Sequence, residues 1–418
     1  MSAATLTTTD AFFVAYQERA GILMHLGAEV ELAGTLARAA VDAAVAQAVA
    51  RWPALACTLV RTVGGLAWRT SPQPLVVETA DRSTRERWRN TPIDPFREPP
   101  FGVLWIRGEG VHVLAFRGHH AVADGQLFLA ISAEIVIALA GAVARAPVAA
   151  AHPLGLTRLW REVDVVASLA HARSLAREAR ADRSARIALR EEVPGPIACC
   201  DRRIDAAGRR AIVERAAAHE LRPPWLVAAA WMHALYAWNV RRGATQPVFS
   251  LEVPVSMRRG PHALAGTGNH LTVLTLFGDA RLPLAALARS LWDDHVAAIR
   301  RRDHLAIPLL GAPVRLLPWP VFRRVAVTTT STGFATSHFT WIEHDDFRAT
   351  LRERSGGALV VRDQGFYTPV CLRMGVALAV MAWPDELQLA LTHRLTGLTA
   401  ADANELADLL VAVLRDPT

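Results

Sequence analysis

The chain contains no lysine, so all 46 of its basic residues are arginine. Beside abundant Ala, Gly and Pro, that absence reads as a preference for GC-rich codons, and the net charge of +7 does not by itself point to an anionic partner. Arginine is scattered among 39 acidic residues with no basic stripe or aromatic stacking motif, which argues against nucleic-acid binding. Attraction to the phosphates of a cofactor or a membrane surface stays open. Cysteine is scarce. Cys57, Cys199, Cys200 and Cys371 have no metal-ligand spacing, and an adjacent pair makes a poor disulfide, so reduced thiols are expected. No uninterrupted apolar stretch reaches the length of a membrane span, and even 127–143 is broken by Glu134. The first ten residues lack the basic start and apolar block of a secretory signal, so a cytoplasmic location is expected. No repeat of solenoid period is visible.

More than half of the 418 residues are apolar, enough for two packed cores, and the length favours two domains. Residues 1–150 read as one α/β layer domain: helices over 10–18 and 36–49, strands over 22–32, 55–63, 66–68, 75–78, 101–106 and 111–116, and an apolar helix over 126–143. The stretch 90–100 is too rich in proline for regular structure. Residues 151–195 form a connector, with an arginine-dense helix over 159–189 that either bridges the domains or lies on a membrane surface. Residues 196–418 form a second α/β domain. Its expected strands cover 197–203, 248–255, 270–276, 325–330, 338–342, 370–383 and 388–393, and its helices 205–219, 225–240, 282–301 and 400–414.

The most informative stretch is Gly118-His119-His120-Ala121-Val122-Ala123-Asp124-Gly125. It leaves a strand and enters a helix, where Asp124 can cap and Gly125 is free to take a dihedral other residues resist. Histidine titrates nearest neutrality, so it can accept and return a proton within one turnover. A single strand-end histidine is more often a hydrogen-bonded core residue. Two histidines with Asp-Gly at this fixed spacing arise by chance on the order of once in a thousand for such a chain, which favours chemistry. Metal-dependent hydrolysis by His119, His120 and Asp124 is the weaker reading, since adjacent histidines on a tight turn chelate one ion poorly and no H-E-x-x-H helix is present.

The run 93–134 resembles the chloramphenicol-acetyltransferase-like acyltransferases, whose hallmark His-His-x-x-x-Asp-Gly is met by His119, His120, Asp124 and Gly125. Asp10-Ala11-Phe12-Phe13 and Met24-His25-Leu26-Gly27 look like the start of wax ester synthase/diacylglycerol acyltransferases. Val253-Pro254-Val255-Ser256-Met257-Arg258 with Gly268-Asn269 is similar to a segment shared with nonribosomal peptide synthetase condensation domains. The Asp-Phe-Gly-Trp-Gly of the plant enzymes and the Pro-Leu-Asn of wax ester synthases are missing.

The resemblance implies an α/β fold of two chloramphenicol-acetyltransferase-like domains, each a mixed sheet flanked by helices, with an active-site tunnel at their interface. It implies transfer of an acyl group from an acyl-CoA or a phosphopantetheinyl carrier thioester to a hydroxyl or amine. His120 would be the general base, with no covalent acyl-enzyme and no permanently bound cofactor. His119 would be structural, and Asp124 would pair with an arginine, best matched by Arg258 with Arg259 as second choice. Asn269, Thr330, Ser331 and His338 are candidates for the oxyanion site or tunnel wall, although such residues are more often turn or strand residues. The expected partners are a small-molecule or lipid acceptor, with a separate carrier protein and peripheral membrane contact left open. A free-standing condensation enzyme and a non-catalytic binding module are the alternatives.

Overall fold

Helices form where apolar residues recur every three or four positions, strands where they alternate or run together. The computed structural model describes residues 6–62, 65–141, 164, 166, 169–170, 184–258, 266–305, 314, 317–331, 335–343 and 346–416, without the side chains of 327–331. The first half gives α1 (Thr8–Ala20), β1 (His25–Ala33), α2 (Arg38–Arg51), β2 (Cys57–Thr62), β3 (Gly65–Thr70), β4 (Val77–Ala80), α3 (Arg85–Asn90), β5 (Phe101–Ile106), β6 (Val111–His119) and α4 (Gly125–Ala138). The second half begins with β7 (Ile197–Ile204), α5 (Ala206–Ala218), α6 (Pro223–Val240), β8 (Val248–Ser256), β9 (Leu271–Asp279) and α7 (Leu284–Arg301). It continues with α8 (Trp319–Ser331), β10 (Ser337–Glu343), α9 (Phe347–Arg354), β11 (Val360–Tyr367), β12 (Val376–Ala382), β13 (Leu387–Arg394) and α10 (Ala400–Arg415).

Two mixed sheets organise these elements. One runs β11-β1-β6-β5-β4, the other β7-β13-β12-β10-β8-β9, and β2 and β3 form a separate hairpin. In the second sheet β10 lies parallel to both β12 and β8, while β12 and β13 are antiparallel. β12 and β13 are buried along their whole length, as expected for central strands covered on both faces. Helix α6 is almost wholly buried against the second sheet, with Trp231 and Trp238 inaccessible.

A clean division into 1–150 and 196–418 does not hold. β11 comes from the second half yet pairs with β1 at the edge of the first-half sheet. Phe347, Leu351 and Phe366 accordingly join the core built around Phe116, Phe128 and Val136. The exchange depends on close approach: Gly27 opposes Tyr367 across the β1–β11 pair, and any Cβ at Gly27 would lie inside the Tyr367 ring.

Three further expectations change. Residues 325–330, rich in Val and Thr, were expected as a strand but lie in α8, where Phe322 and Ala326 bury one face at i,i+4 spacing. Packing overrides local β-propensity there. Helix α1 starts at Thr8 and not at residue 10: Thr7 caps it, and Asp10 sits at the third helical position and completes a capping box. Residues 184–189 are not helical: Ala185 and Ile187 are buried in a run without regular structure, with Ala185 N–H donating to Val248 O at 2.6 Å. The rest of 159–189, and with it the membrane-contact reading, lies almost entirely outside the described residues. Among the described residues no helix is long and apolar enough to cross a membrane.

Candidate active site

Strand β6 ends at His119 because the next residues turn. His119 faces His25 across the β1–β6 pair, and its backbone N–H reaches Pro100 O at 2.7 Å. Its side chain is fully buried, and Nδ1 accepts from Ala121 N at 3.1 Å, which assigns the proton to Nε2. Burial, with the charges of His25 and His120, pushes His119 down to about 3. His119 is thus a neutral brace of the turn.

The next residue differs. His120 N–H donates to Met24 O at 2.8 Å, and its ring stacks on Phe13 with centroids 4.0 Å apart and planes 13° from parallel. Nδ1 is buried, which leaves Nε2 as the nitrogen facing a cavity of about 360 Å³ between the two sheets. Met24, Leu26 and Phe366 line it from the first sheet, and Pro254, Val273 and His338 from the second. Desolvation lowers the His120 pKa, opposed in part by its own carbonyl, the Asp124 charge and Asn269. Near neutrality the ring is therefore an unprotonated base. A larger groove of about 650 Å³ shares Gln126, Trp341, Ile342 and Glu343 with this cavity and runs past α4 and the N-terminus of α6.

Asp124 fixes the loop through both oxygens. Oδ1 caps α4 by accepting from Leu127 N at 3.0 Å, while Oδ2 accepts from Arg258 Nε at 2.8 Å and His270 N at 3.0 Å. The Arg258 side chain is 1 % exposed and Asp124 4 %, so the pair is desolvated. Arg258 also donates to Gly266 O and Gly268 O at 3.1 and 3.0 Å, using its planar fork to tie the 266–268 loop to the same carboxylate. Arg259, the second choice, lies outside the described residues. Gly125 is the first residue of α4 and is absent from the positive-φ glycines, so the expected special dihedral is not what it contributes.

Asn269 reaches the site in a role the sequence did not suggest. Its Nδ2 donates to Asp10 Oδ1 at 2.8 Å and to the His120 carbonyl, and its backbone N–H donates to Asp10 Oδ1 at 2.8 Å. With both amide hydrogens engaged, Asn269 positions the histidine loop and is not free to bind an oxyanion. Asp10 is 3 % exposed, and burial raises its pKa against the hydrogen bonds from Asn269 and Thr7. The preceding Gly268 has φ +92°, which favours glycine, and a Cβ there would crowd Asp10 Oδ2 at 3.1 Å. Asn269→Ala should cost about 1–3 kcal/mol by leaving the buried Asp10 carboxylate short of a donor, read as a lower urea midpoint. Asp10 and Phe13, three residues apart on one helix face, went unrecognised as site residues; the signal was their place in the Asp10-Ala11-Phe12-Phe13 resemblance.

His338 lines the cavity from β10, and burial followed by the His120 charge pushes it down to about 4. Thr330 and Ser331 end helix α8 and not a strand, which removes the strand-end argument for them, and their side chains lie outside the described residues. Among the described residues no three His, Cys, Asp or Glu side chains are grouped to hold a metal ion. The four cysteines are free thiols, Cys57 and Cys200 buried.

The depressed histidines make a stability prediction. Burial also lowers His25 to about 4. The unfolded chain protonates His25, His119 and His338 below about 6.5, whereas the native chain resists until about 4, 3 and 4. At these three groups the unfolded state therefore binds more protons in that window, so their contribution to native stability, full above pH 6.5, is lost as pH drops towards 3, opposed in its upper part by the buried carboxyls of Glu252 and Asp201, both raised to about 7. Urea unfolding across that range should show a loss approaching about 1.4 kcal/mol per pH unit for each fully titrating group.

No sequence-family model matches the chain, and no curated protein matches it significantly. Solved structures do. The condensation domain of the monacolin K polyketide synthase MokA superposes with TM-score 0.72 at 14 % identity, covering 99 % of this chain and 97 % of that one. The first condensation domain of the calcium-dependent antibiotic synthetase, in complex with a substrate analogue, gives 0.71 at 16 % identity, with 99 % and 96 % covered. A starter condensation domain of rhizomide synthetase RzmA, in complex with C8-CoA and Leu-SNAC, gives 0.68 at 14 %, with 100 % and 95 % covered. Two mixed sheets, a strand exchanged between halves and near-complete coverage agree: the chain has the two-lobed, chloramphenicol-acetyltransferase-like fold of condensation domains.

Proposed function

We propose that this protein transfers an acyl group from a thioester, carried on CoA or on the phosphopantetheine of a carrier protein, to a hydroxyl or amine held beside His120. The observation that carries this reading is the neutral His120 ring, with Nε2 facing a cavity between two sheets and its loop fixed by a buried Asp124–Arg258 pair. The RzmA domain bound to C8-CoA and Leu-SNAC supports a thioester donor.

In this mechanism Nε2 of His120 takes the proton from the acceptor as its oxygen or nitrogen attacks the thioester carbonyl. The new C–O or C–N bond and the oxyanion form together. The oxyanion then collapses, the C–S bond breaks, and the histidinium returns its proton to the departing thiolate. Holding both reactants in one cavity replaces a covalent acyl-enzyme. Asp124, Arg258, Asn269 and Phe13 act by aiming the ring; none of them touches the reacting atoms. The test is free-thiol release from C8-CoA and from acyl carrier-protein donors with mixed alcohols and amines. His120-dependent release supports transfer, and its absence with every donor would leave a binding module.

A further inference from the structure

The wall facing His120 carries a carboxylate that the transfer chemistry does not use. β8 and β10 run parallel with Glu252 opposite His338, and both side chains line the cavity shared with His120. Pro254, Leu271, Val273 and Met374 give the lining its apolar part, and Thr340, Thr368 and Glu343 its polar part. Among the described residues no arginine forms an ion pair with Glu252, and desolvation alone pushes its carboxyl up to about 7.

Among the described residues no charged group offsets that desolvation. His338 is pushed down to about 4, Cys371 is pushed up to about 12, and burial raises Tyr16. Arg394, whose charge acts on Cys371 and Tyr16, donates to the carbonyls of Val370, Cys371 and Leu372. A desolvated carboxylate is unfavourable in the empty protein and is relieved by a cation brought in with a ligand.

We propose that Glu252, beside His338, is the counter-ion for a protonated amine on the acceptor, placing the acceptor in the class of amino alcohols or diamines. The ammonium sits on Glu252 and the second, nucleophilic group at His120. A cavity of about 360 Å³ has room for such a small molecule beside His120. The proposal rests on the acyl-transfer reading for the word acceptor but not for binding.

Binding and turnover separate the two. Calorimetry at pH 7 should show aminohexanol binding about ten-fold tighter than hexanediol. With the carboxyl at about 7, aminohexanol should also release up to about half a proton, read from buffers of different ionisation heat. Glu252→Gln should abolish both the preference and the proton release while leaving hexanediol binding unchanged, which also shows that the variant is folded. In thiol release the same variant should raise KM for aminohexanol about ten-fold with kcat unchanged. Equal binding of the two probes, or a preference that survives in Glu252→Gln, would overturn the proposal. Preference without any thiol release would instead remove the transfer reading and leave the cation subsite standing.

Discussion

His120→Ala should lower thiol release about 10²–10⁴-fold, the range a positioned general base supplies. The loss should appear in kcat, because the ring acts on the proton only as the acceptor attacks. The variant should remain folded, since the anchoring bond to Met24 O is made by the backbone N–H and survives the change. What it loses structurally is the stack on Phe13. His119→Ala is the informative contrast. That ring is fully buried and accepts from Ala121 N, so its removal should destabilise the fold and disturb the turn through a cavity and a lost hydrogen bond. A His120→Ala variant that keeps wild-type thiol release would remove the imidazole from the mechanism.

Arg258→Ala should have the largest effect on stability, about 3–5 kcal/mol. The change leaves Asp124 buried with its cation gone and deprives the carbonyls of Gly266 and Gly268 of their donors. Asp124 would keep Leu127 N and His270 N, so the helix cap and one hydrogen bond to the second half persist while the ion pair between the halves is lost. Urea unfolding measures the loss. Replacing both residues together by apolar groups of similar volume should restore part of it, because the penalty comes from the stranded charge and not from the absence of the bond. If Arg258→Ala unfolds at the wild-type midpoint, the pair does not hold the loop.

Most strands and helices could be read from short windows. The hairpin of β2 and β3, the proline-rich loop before β5, and the β6–turn–α4 junction each carry their signal within about ten residues as alternation, a breaker or a cap. β11 escaped because its centre, Arg362-Asp363-Gln364-Gly365, is polar, with Arg362 and Asp363 exposed at the sheet edge, so no alternation announces it. Residues 325–330 misled in the opposite direction, since Val and Thr favour a strand until packing on the core decides for a helix. Glu252 was passed over because a single acidic residue in an apolar strand carries no mark of the face it occupies.

From the sequence alone came the chemistry-bearing loop: two histidines at a strand end, an aspartate able to cap, and the expectation that an arginine near 258 meets it. Those features are local, or carried by a resemblance to short motifs, so neighbouring residues suffice to express them. The tertiary structure alone decided that Asp10, Asn269 and the His120 carbonyl form one bracket across 259 residues of chain. It also decided that β11 crosses to the first sheet and that Glu252 shares a cavity with His120. Such contacts depend on strand register, where a slip of one residue turns every side chain to the other face, and no window of sequence holds both partners.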